Sequence, residues 1–272
     1  MYKILDLYRQ LLFFKGKFKL GIILFKTYIN KNNPIEFSAH QNIVYKIPNT
    51  IEGIGVELLI TGIYERKVIQ FLKNHIKPGD YYFDIGANIG AVGLPIVKNI
   101  PSVNYVGFEA SPEIFEYLKY NFTKNSVANF ELHNYVVHEN SNGPMKFYQL
   151  QNHGKGSLAP TFTQQFVLVN SISLDSFCNT REITKINWIK IDVQGFELYV
   201  FKGLQKLLLD KKVENILFEF EPWEEESAGF DIGTAKKYLL SLGYELFNIS
   251  GEKLVDIIPK KRIMIWAKPG AE

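Results

Sequence analysis

The run Tyr81 to Gly93, YYFDIGANIGAVG, changes hydrophobic period in mid-course, and this change constrains the chain more than any other feature. Tyr81 to Ile85 is a short apolar run that holds Asp84 and stops at Gly86, as a buried parallel strand does when it breaks into a glycine turn. Ala87 to Lys98 then reads as a helix. A strand passing through Gly86 and Gly90 into a helix is expected to bring bare backbone N–H groups and a helix N-terminus up to a ligand. That layout is a nucleotide cradle.

Which nucleotide follows from the residues between the glycines. A dinucleotide loop spaces its glycines GxGxxG and offers amides to a pyrophosphate. Here Asn88 takes the central position, and Asp84 at the lip of the loop repels a pyrophosphate and favours a cation. S-adenosylmethionine carries an ammonium, a sulfonium and no phosphate. The next strand, Val103 to Phe108, ends in Glu109, at about the ~20-residue distance where an acidic residue grips ribose hydroxyls. Glycine turns of this length also arise by chance, so the assignment leans on Asp84 and Glu109 standing at successive strand ends.

A chain of 272 residues, 46% hydrophobic and 22% charged, accommodates one large α/β domain with extra elements. Its net charge of +3 is unevenly held: Lys3, Arg9, Lys15, Lys17, Lys19, Lys26 and Lys31 face Asp6 alone in residues 1–35. The first thirty residues place apolar and basic side chains (Ile4, Leu7, Tyr8, Leu11, Leu12, Lys15) at helical spacing and read as an amphipathic arm. Such an arm caps its own domain, docks a partner or lies on an anionic membrane. Leu11 to Phe14 and Leu20 to Phe25 fall short of the ~20 apolar residues that span a bilayer, and no cleavable signal is evident. With the lone Cys178, these features point to a cytoplasmic protein, peripheral at the membrane if the arm binds one.

Residues 1–50 are expected to form the helical arm and short strands, with a strand at Asn42 to Ile47. Another strand is expected at Val56 to Ile60, then a helix from Arg66 to His75. From Tyr81 the pattern alternates: strand, helix to Lys98, strand to Glu109, helix Pro112 to Asn125 capped by Ser111, and strand Asn129 to Val137. Alternation of this kind means right-handed βαβ units and a parallel sheet. Residues 138–180 interrupt it with two β-like runs, Met145 to Leu150 and Phe166 to Ser171, around a loop, Gln151 to Gln165, read as a substrate lid. The rhythm resumes with strand Ile186 to Val193, helix Gly195 to Leu209 and strand Val213 to Glu221. A helix from Thr234 to Leu242 and an antiparallel hairpin, Tyr244 to Ile249 with Ile263 to Ala267, close the chain.

In a doubly wound sheet the ligand lies at the carboxyl strand ends where the order reverses. The strands ending at Asp84 and Asp192 are therefore expected to be neighbours, with Asp192 beside the reacting end of the cofactor. The competing reading makes Asp192 an N-cap for the helix near Gly195, worth ~1 kcal/mol.

At Asp192 a resemblance becomes specific. KIDVQGFELYVFKG, Lys190 to Gly203, is similar to the signature of FkbM-type methyltransferases. GIYE (Gly62 to Glu65), PGDYYFDIGANIG, FEASPE (Phe108 to Glu113) and ILFEFEP (Ile216 to Pro222) follow that family's order over residues 56–250. Gln194 stands where the family usually has Glu, and Glu221 where it often has His. The resemblance implies the class I methyltransferase fold, a Rossmann-like doubly wound sheet of about seven strands, mostly parallel with an antiparallel closing hairpin. It also implies S-adenosylmethionine as methyl donor and a hydroxyl acceptor on a sugar, glycan or other small molecule. Cofactor contacts are assigned to Glu65, Asp84, Gly86, Asn88, Gly90, Glu109, Ala110, Asn134 and Asp192. Asp192, Glu219, Glu221, His153 and His138 are candidates for the base that takes the hydroxyl proton. No metal ligands are assigned.

Rival classes leave weaker traces. The Asn/Asp-Pro-Pro-Tyr turn of nucleic-acid N-methyltransferases and the Pro-Cys of cytosine C5 enzymes are absent from the sequence. A ribose 2′-O-methyltransferase acting on RNA stays open, although residues beyond the arm lack a basic stripe. A cofactor-binding scaffold held at a membrane by its arm also stays open.

Overall fold

A computed structural model describes residues 2–141, 143–150, 156–161, 163–254 and 258–270. Seven strands make the main sheet: β1 (Tyr81–Ile85), β2 (Asn104–Phe108), β3 (Phe130–His133), β4 (Ile186–Ile191), β5 (Val213–Phe220), β6 (Tyr244–Asn248) and β7 (Ile263–Pro269). They lie in the order β6-β7-β5-β4-β1-β2-β3, with β1 to β5 parallel and β7 antiparallel to both neighbours. The order reverses between β1 and β4. This is the class I methyltransferase fold, as expected, with its closing antiparallel hairpin.

Strand alternation sends Phe83 and Ile85, Val106 and Phe108, Ile189 and Ile191, and Phe218 and Phe220 to one face. There they meet Leu174, Phe177, Phe201, Leu204 and Leu239. The opposite face carries Tyr82, Tyr105, Trp188 and Leu217 against Val68, Leu72, Ile96, Ile114 and Phe122. On this second face the period also places polar residues: Asp84, Lys190 and Glu219 are buried among the aromatics. Lys190 stands in register with Asp84, and Asp84 with Gly107. A β-carbon on Gly107 would press on the Tyr105 ring, whose hydroxyl donates to Asp84 Oδ2 at 3.0 Å.

The interruption in the rhythm is a second, smaller sheet. Gly143–Gln149 pairs antiparallel with Phe166–Ile172 and with Gly156–Ser157, while Val136–Val137 runs parallel to Phe166–Ile172. Of the loop Gln151 to Gln165, residues 151–155 and 162 lie outside the described residues, and His153 with them.

Several expectations need correction. Val56 to Ile60 is not a strand but part of a helix, Gly53–Thr61, buried between the arm and the sheet. Six of its nine residues, Gly55, Val56 and Leu58 to Thr61, are buried, which leaves little period to mark it as a helix. The helix after β1 begins at Gly93, not Ala87, because Asn88 (φ 52°) and Gly90 (φ 81°) take left-handed conformations that no helix continues. The strand expected over Asn129 to Val137 splits around Asn134, and the helix over Gly195 to Leu209 breaks at Gly203, which packs against the His138 carbonyl. A short helix, Pro222–Ser227, was not anticipated.

Strand Val44–Ile47 pairs with Ile35–Ser38 on one edge only. Its other edge is covered by two amides from the helix Pro112–Lys124 and its C-cap. Asn121 accepts from Lys46 N at 2.7 Å and donates to Lys46 O at 3.2 Å, while Asn125 does the same with Val44 at 2.8 and 2.7 Å. Asn121 also donates to Ile89 O at 2.8 Å, tying the glycine turn to the helix. Asn121→Ala is expected to cost about 2–4 kcal/mol, because three partners lose their bonds in a buried place. Urea unfolding measures this, and a loss within ~0.5 kcal/mol of zero would contradict it.

Candidate functional site

At the carboxyl ends of β1, β2 and β4 lies a cavity of about 310 Å³, within the range of small-molecule sites. Gly86, Ala87 and Asn88 enter its wall from the end of β1, Glu109 and Ala110 from β2, and Asp192, Val193 and Gln194 from β4. Gly53 and Ile54 line it from the buried helix, and Phe147, Gly156, Ser157 and Leu158 from the smaller sheet. Of the expected lid, Gly156, Ser157 and Leu158 thus stand on the cavity wall.

The glycine turn does not work as bare backbone. Gly86 N and Ala87 N both donate to Phe108 O at 2.9 Å, Asn88 N to Glu109 Oε2 at 2.8 Å, Ile89 N to Asn88 Oδ1 at 2.9 Å and Gly90 N to Ala87 O at 2.9 Å. Five successive amides are occupied within the protein, so the turn is no pyrophosphate cradle. The glycines make room for protein atoms instead. A β-carbon on Gly86 would overlap the Asp192 carbonyl, and one on Gly90 would strike Phe122. Gly86 remains on the cavity wall; Gly90 is not part of it.

Glu109 is held by the turn it faces. Its Oε1 accepts from Ser111 N and its Oε2 from Asn88 N, both at 2.8 Å. Asn134 donates to the carbonyls of Glu109 and Ala110 at 2.8 and 2.9 Å, so it positions this loop rather than lining the cavity. A carboxylate fixed by two amides, with lone pairs left toward an open space, suits a pair of ribose hydroxyls. Burial, opposed by those two hydrogen bonds, pushes Glu109 up to about 7.

Asp84 lies beneath the cavity, not in it. It is fully buried, with the Lys190 ammonium 3.5 Å from Oδ1. Burial raises its pKa, against the pull of Lys190 and Tyr105. Lys190 also stands 3.7 Å from Asp192 Oδ2. Burial opposes its charge, but Asp84, Asp192, Glu65 and Glu219 together hold it as an ammonium.

Among the candidate bases in the described residues, Asp192 alone borders the cavity. Gln194 Nε2 donates to its Oδ1 at 3.1 Å. The competing cap role fails, because the following helix starts at Glu197 and has no side-chain cap. Glu197 Oε1 itself accepts from Val193 N at 3.1 Å and Gly195 N at 3.4 Å. Glu219 is buried behind the wall in an ion pair with Arg262, Glu221 heads the short helix Pro222–Ser227, and His138 accepts from Asn140 N at 3.0 Å away from the cavity. Glu65 likewise stands off the wall and pairs with Arg262 at 3.1 Å.

Three residues at the site escaped the sequence reading of roles: Lys190, Tyr64 and Arg262. Lys190 carried a signal, since a lysine within the apolar run INWIKI must find a partner. Arg262 sits in a basic run before β7 that resembles a solvated turn, and only the return of the hairpin brings it to Glu65.

The chain is similar in sequence to known methyltransferases. Residues 84–246, more than half of the chain, match the family model described as the methyltransferase FkbM domain. The chain is 28% identical over 144 residues to a hexuronic acid methyltransferase of Haloferax volcanii, covering 53% of this chain and 58% of that protein. It is 26% identical over 231 residues to methyltransferase 1 of Beauveria bassiana, covering 77% and 86%. A precorrin-6y C5,15-methyltransferase from Geobacter metallireducens GS-15 superposes with a TM-score of 0.45 at 13% identity, over 76% of this chain and 87% of that one.

The pKa of Glu109 rises from 4.5 to about 7 on folding, so over that interval the folded protein keeps a proton that the unfolded chain releases. Its contribution to stability is complete below pH about 4.5 and is lost as pH rises through about 7. In Glu109→Gln, Tm without ligand is therefore expected to fall less steeply than the parent's over this range. Parallel Tm profiles for the two proteins would contradict the assignment.

Proposed function

The chain belongs to the FkbM methyltransferase family, and we propose that it transfers a methyl group from S-adenosylmethionine to a hydroxyl of a sugar or glycan. The observation that carries this reading is the pairing of Glu109 and Asp192 across one cavity whose glycine turn has no amides left for phosphate. The name of the Haloferax relative favours a sugar as acceptor.

The cofactor supplies a methyl already activated on a sulfonium. Glu109 is assigned to the ribose hydroxyls. The chain must then hold an acceptor hydroxyl in line at ~3 Å, a positioning effect that supplies much of the lowering of the barrier. Asp192 would take the proton that the acceptor hydroxyl gives up, while bound S-adenosylmethionine would supply the methyl group that replaces it. Lys190 and Gln194 hold the Asp192 carboxylate for that step. The acidic surroundings suit a cationic ligand, since Asp84, Asp192, Glu65 and Glu219 cluster about Lys190. RNA fits less well, because Lys190 and Arg262, the two cations on the wall among the described residues, are already matched by carboxylates.

Methyl transfer from labelled S-adenosylmethionine to a panel of nucleotide sugars and glycans tests this reading. Transfer to RNA ribose with none to sugars would overturn it. Asp192→Asn keeps size and an acceptor for Gln194, so Tm and S-adenosylhomocysteine affinity are expected to stay close to the parent's. Turnover is expected to drop by ~100-fold or more. An Asn variant as active as the parent would remove Asp192 from the mechanism.

A further inference from the structure

The reaction leaves the outward face of residues 2–28 unexplained. Inward, Leu5, Tyr8, Phe25 and Tyr28 pack on Val56, Leu59 and Ile60 of the helix Gly53–Thr61. Two of the arm's basic residues are buried fasteners. Arg9 donates to Leu59 O and Ser38 O, each at 2.7 Å, and Lys17 to the carbonyls of Arg9 and Leu11 at 2.8 and 2.7 Å. The arm is therefore a fixed platform.

A cap helix turns its apolar stripe inward and a polar face outward. This arm is apolar on both. Ile4, Leu7 and Leu11 repeat at helical spacing on the outside of Tyr2–Gln10 and beyond it, and Leu20 and Ile23 do so on Lys17–Leu24; Leu12, in the connection, is 89% exposed. Lys3, Lys15, Lys19 and Lys26 are exposed among them, and the arm's one acidic residue, Asp6, is bonded to Arg9 at 2.8 Å.

We propose that this face docks on an anionic lipid surface, with the aliphatic side chains in the headgroup boundary and the lysines on lipid phosphates. Charge decides the occupant: protein interfaces are depleted of lysine, whereas short apolar helices bearing lysines lie flat on anionic membranes. Neither helix spans a bilayer, and no described helix is long and apolar enough to do so. The helix Gly53–Thr61 under the arm also gives Gly53 and Ile54 to the cavity wall. That helix, about 14 Å long, thus touches both the arm and the cavity.

Sedimentation of the full chain with phosphatidylcholine–phosphatidylglycerol vesicles, and with phosphatidylcholine alone, tests the proposal. The protein is expected to pellet with the anionic vesicles, to be released by salt, and to pellet far less with the neutral ones. Leu7→Glu/Leu12→Glu/Ile23→Glu, with parental circular dichroism and Tm, is expected to lower partitioning more than tenfold. Lys15→Gln/Lys19→Gln/Lys26→Gln changes exposed side chains only and is expected to lower it at least about tenfold, so it decides alone if the first variant misfolds. Protein left in the supernatant with anionic vesicles, equal binding to neutral ones, or lysine variants that bind like the parent would overturn the proposal. So would concentration-dependent self-association abolished by the glutamate variant without vesicle binding, which assigns the face to a second copy.

Discussion

A lysine and an aspartate in the middle of a sheet are tolerable only together. Lys190 and Asp84 are both buried, in register on adjacent parallel strands, with the ammonium 3.5 Å from the carboxylate. Removing one partner of such a pair leaves an uncompensated buried charge, at ~3–5 kcal/mol. The pair thus fixes which strands are neighbours at the reversal of strand order, and that reversal opens the crevice. Tyr105, Gly107 and Gly93 follow from it, since the tyrosine must lie over two positions without side chains to bring its hydroxyl to Asp84.

Above the pair, the same strand ends deliver the groups that face the cavity. Two residues after Asp84 the chain turns on Gly86, close under the Asp192 carbonyl, and two residues after Lys190 comes Asp192. Because strand side chains alternate, Lys190 and Asp192 share a side, and the lysine reaches both aspartates. Burial raises Glu65, Asp84, Glu109, Glu197 and Glu219 above the usual carboxylate range. Carboxyl groups so crowded mark a place where a positive ligand relieves the repulsion among them.

Much of this was legible in the residues. The alternation of strand and helix, the neighbouring of Asp84 and Asp192, the Ser111 cap and the closing hairpin all follow from period and spacing. The function of the glycines did not. Spacing shows that Gly86 and Gly90 permit a turn, but only the assembled structure shows that Asp192 and Phe122 occupy the room they leave. Asp84 was placed in the ligand's path for the same reason, since sequence position cannot tell a strand-end carboxylate beneath a turn from one above it. Val56 to Ile60 reads as a strand because burial around most of the helix Gly53–Thr61 leaves little period, and Arg262 has no local signal because its partner is 197 residues away.

The claim at the centre is that Asp84 and Lys190 act as one buried unit on which the site is built. Unfolding free energies of Asp84→Asn, Lys190→Met and the double variant test it most directly. Each single change is predicted to cost ~3 kcal/mol or more, and the double change less than their sum by at least ~2 kcal/mol. Losses that simply add would show that the two residues do not depend on each other.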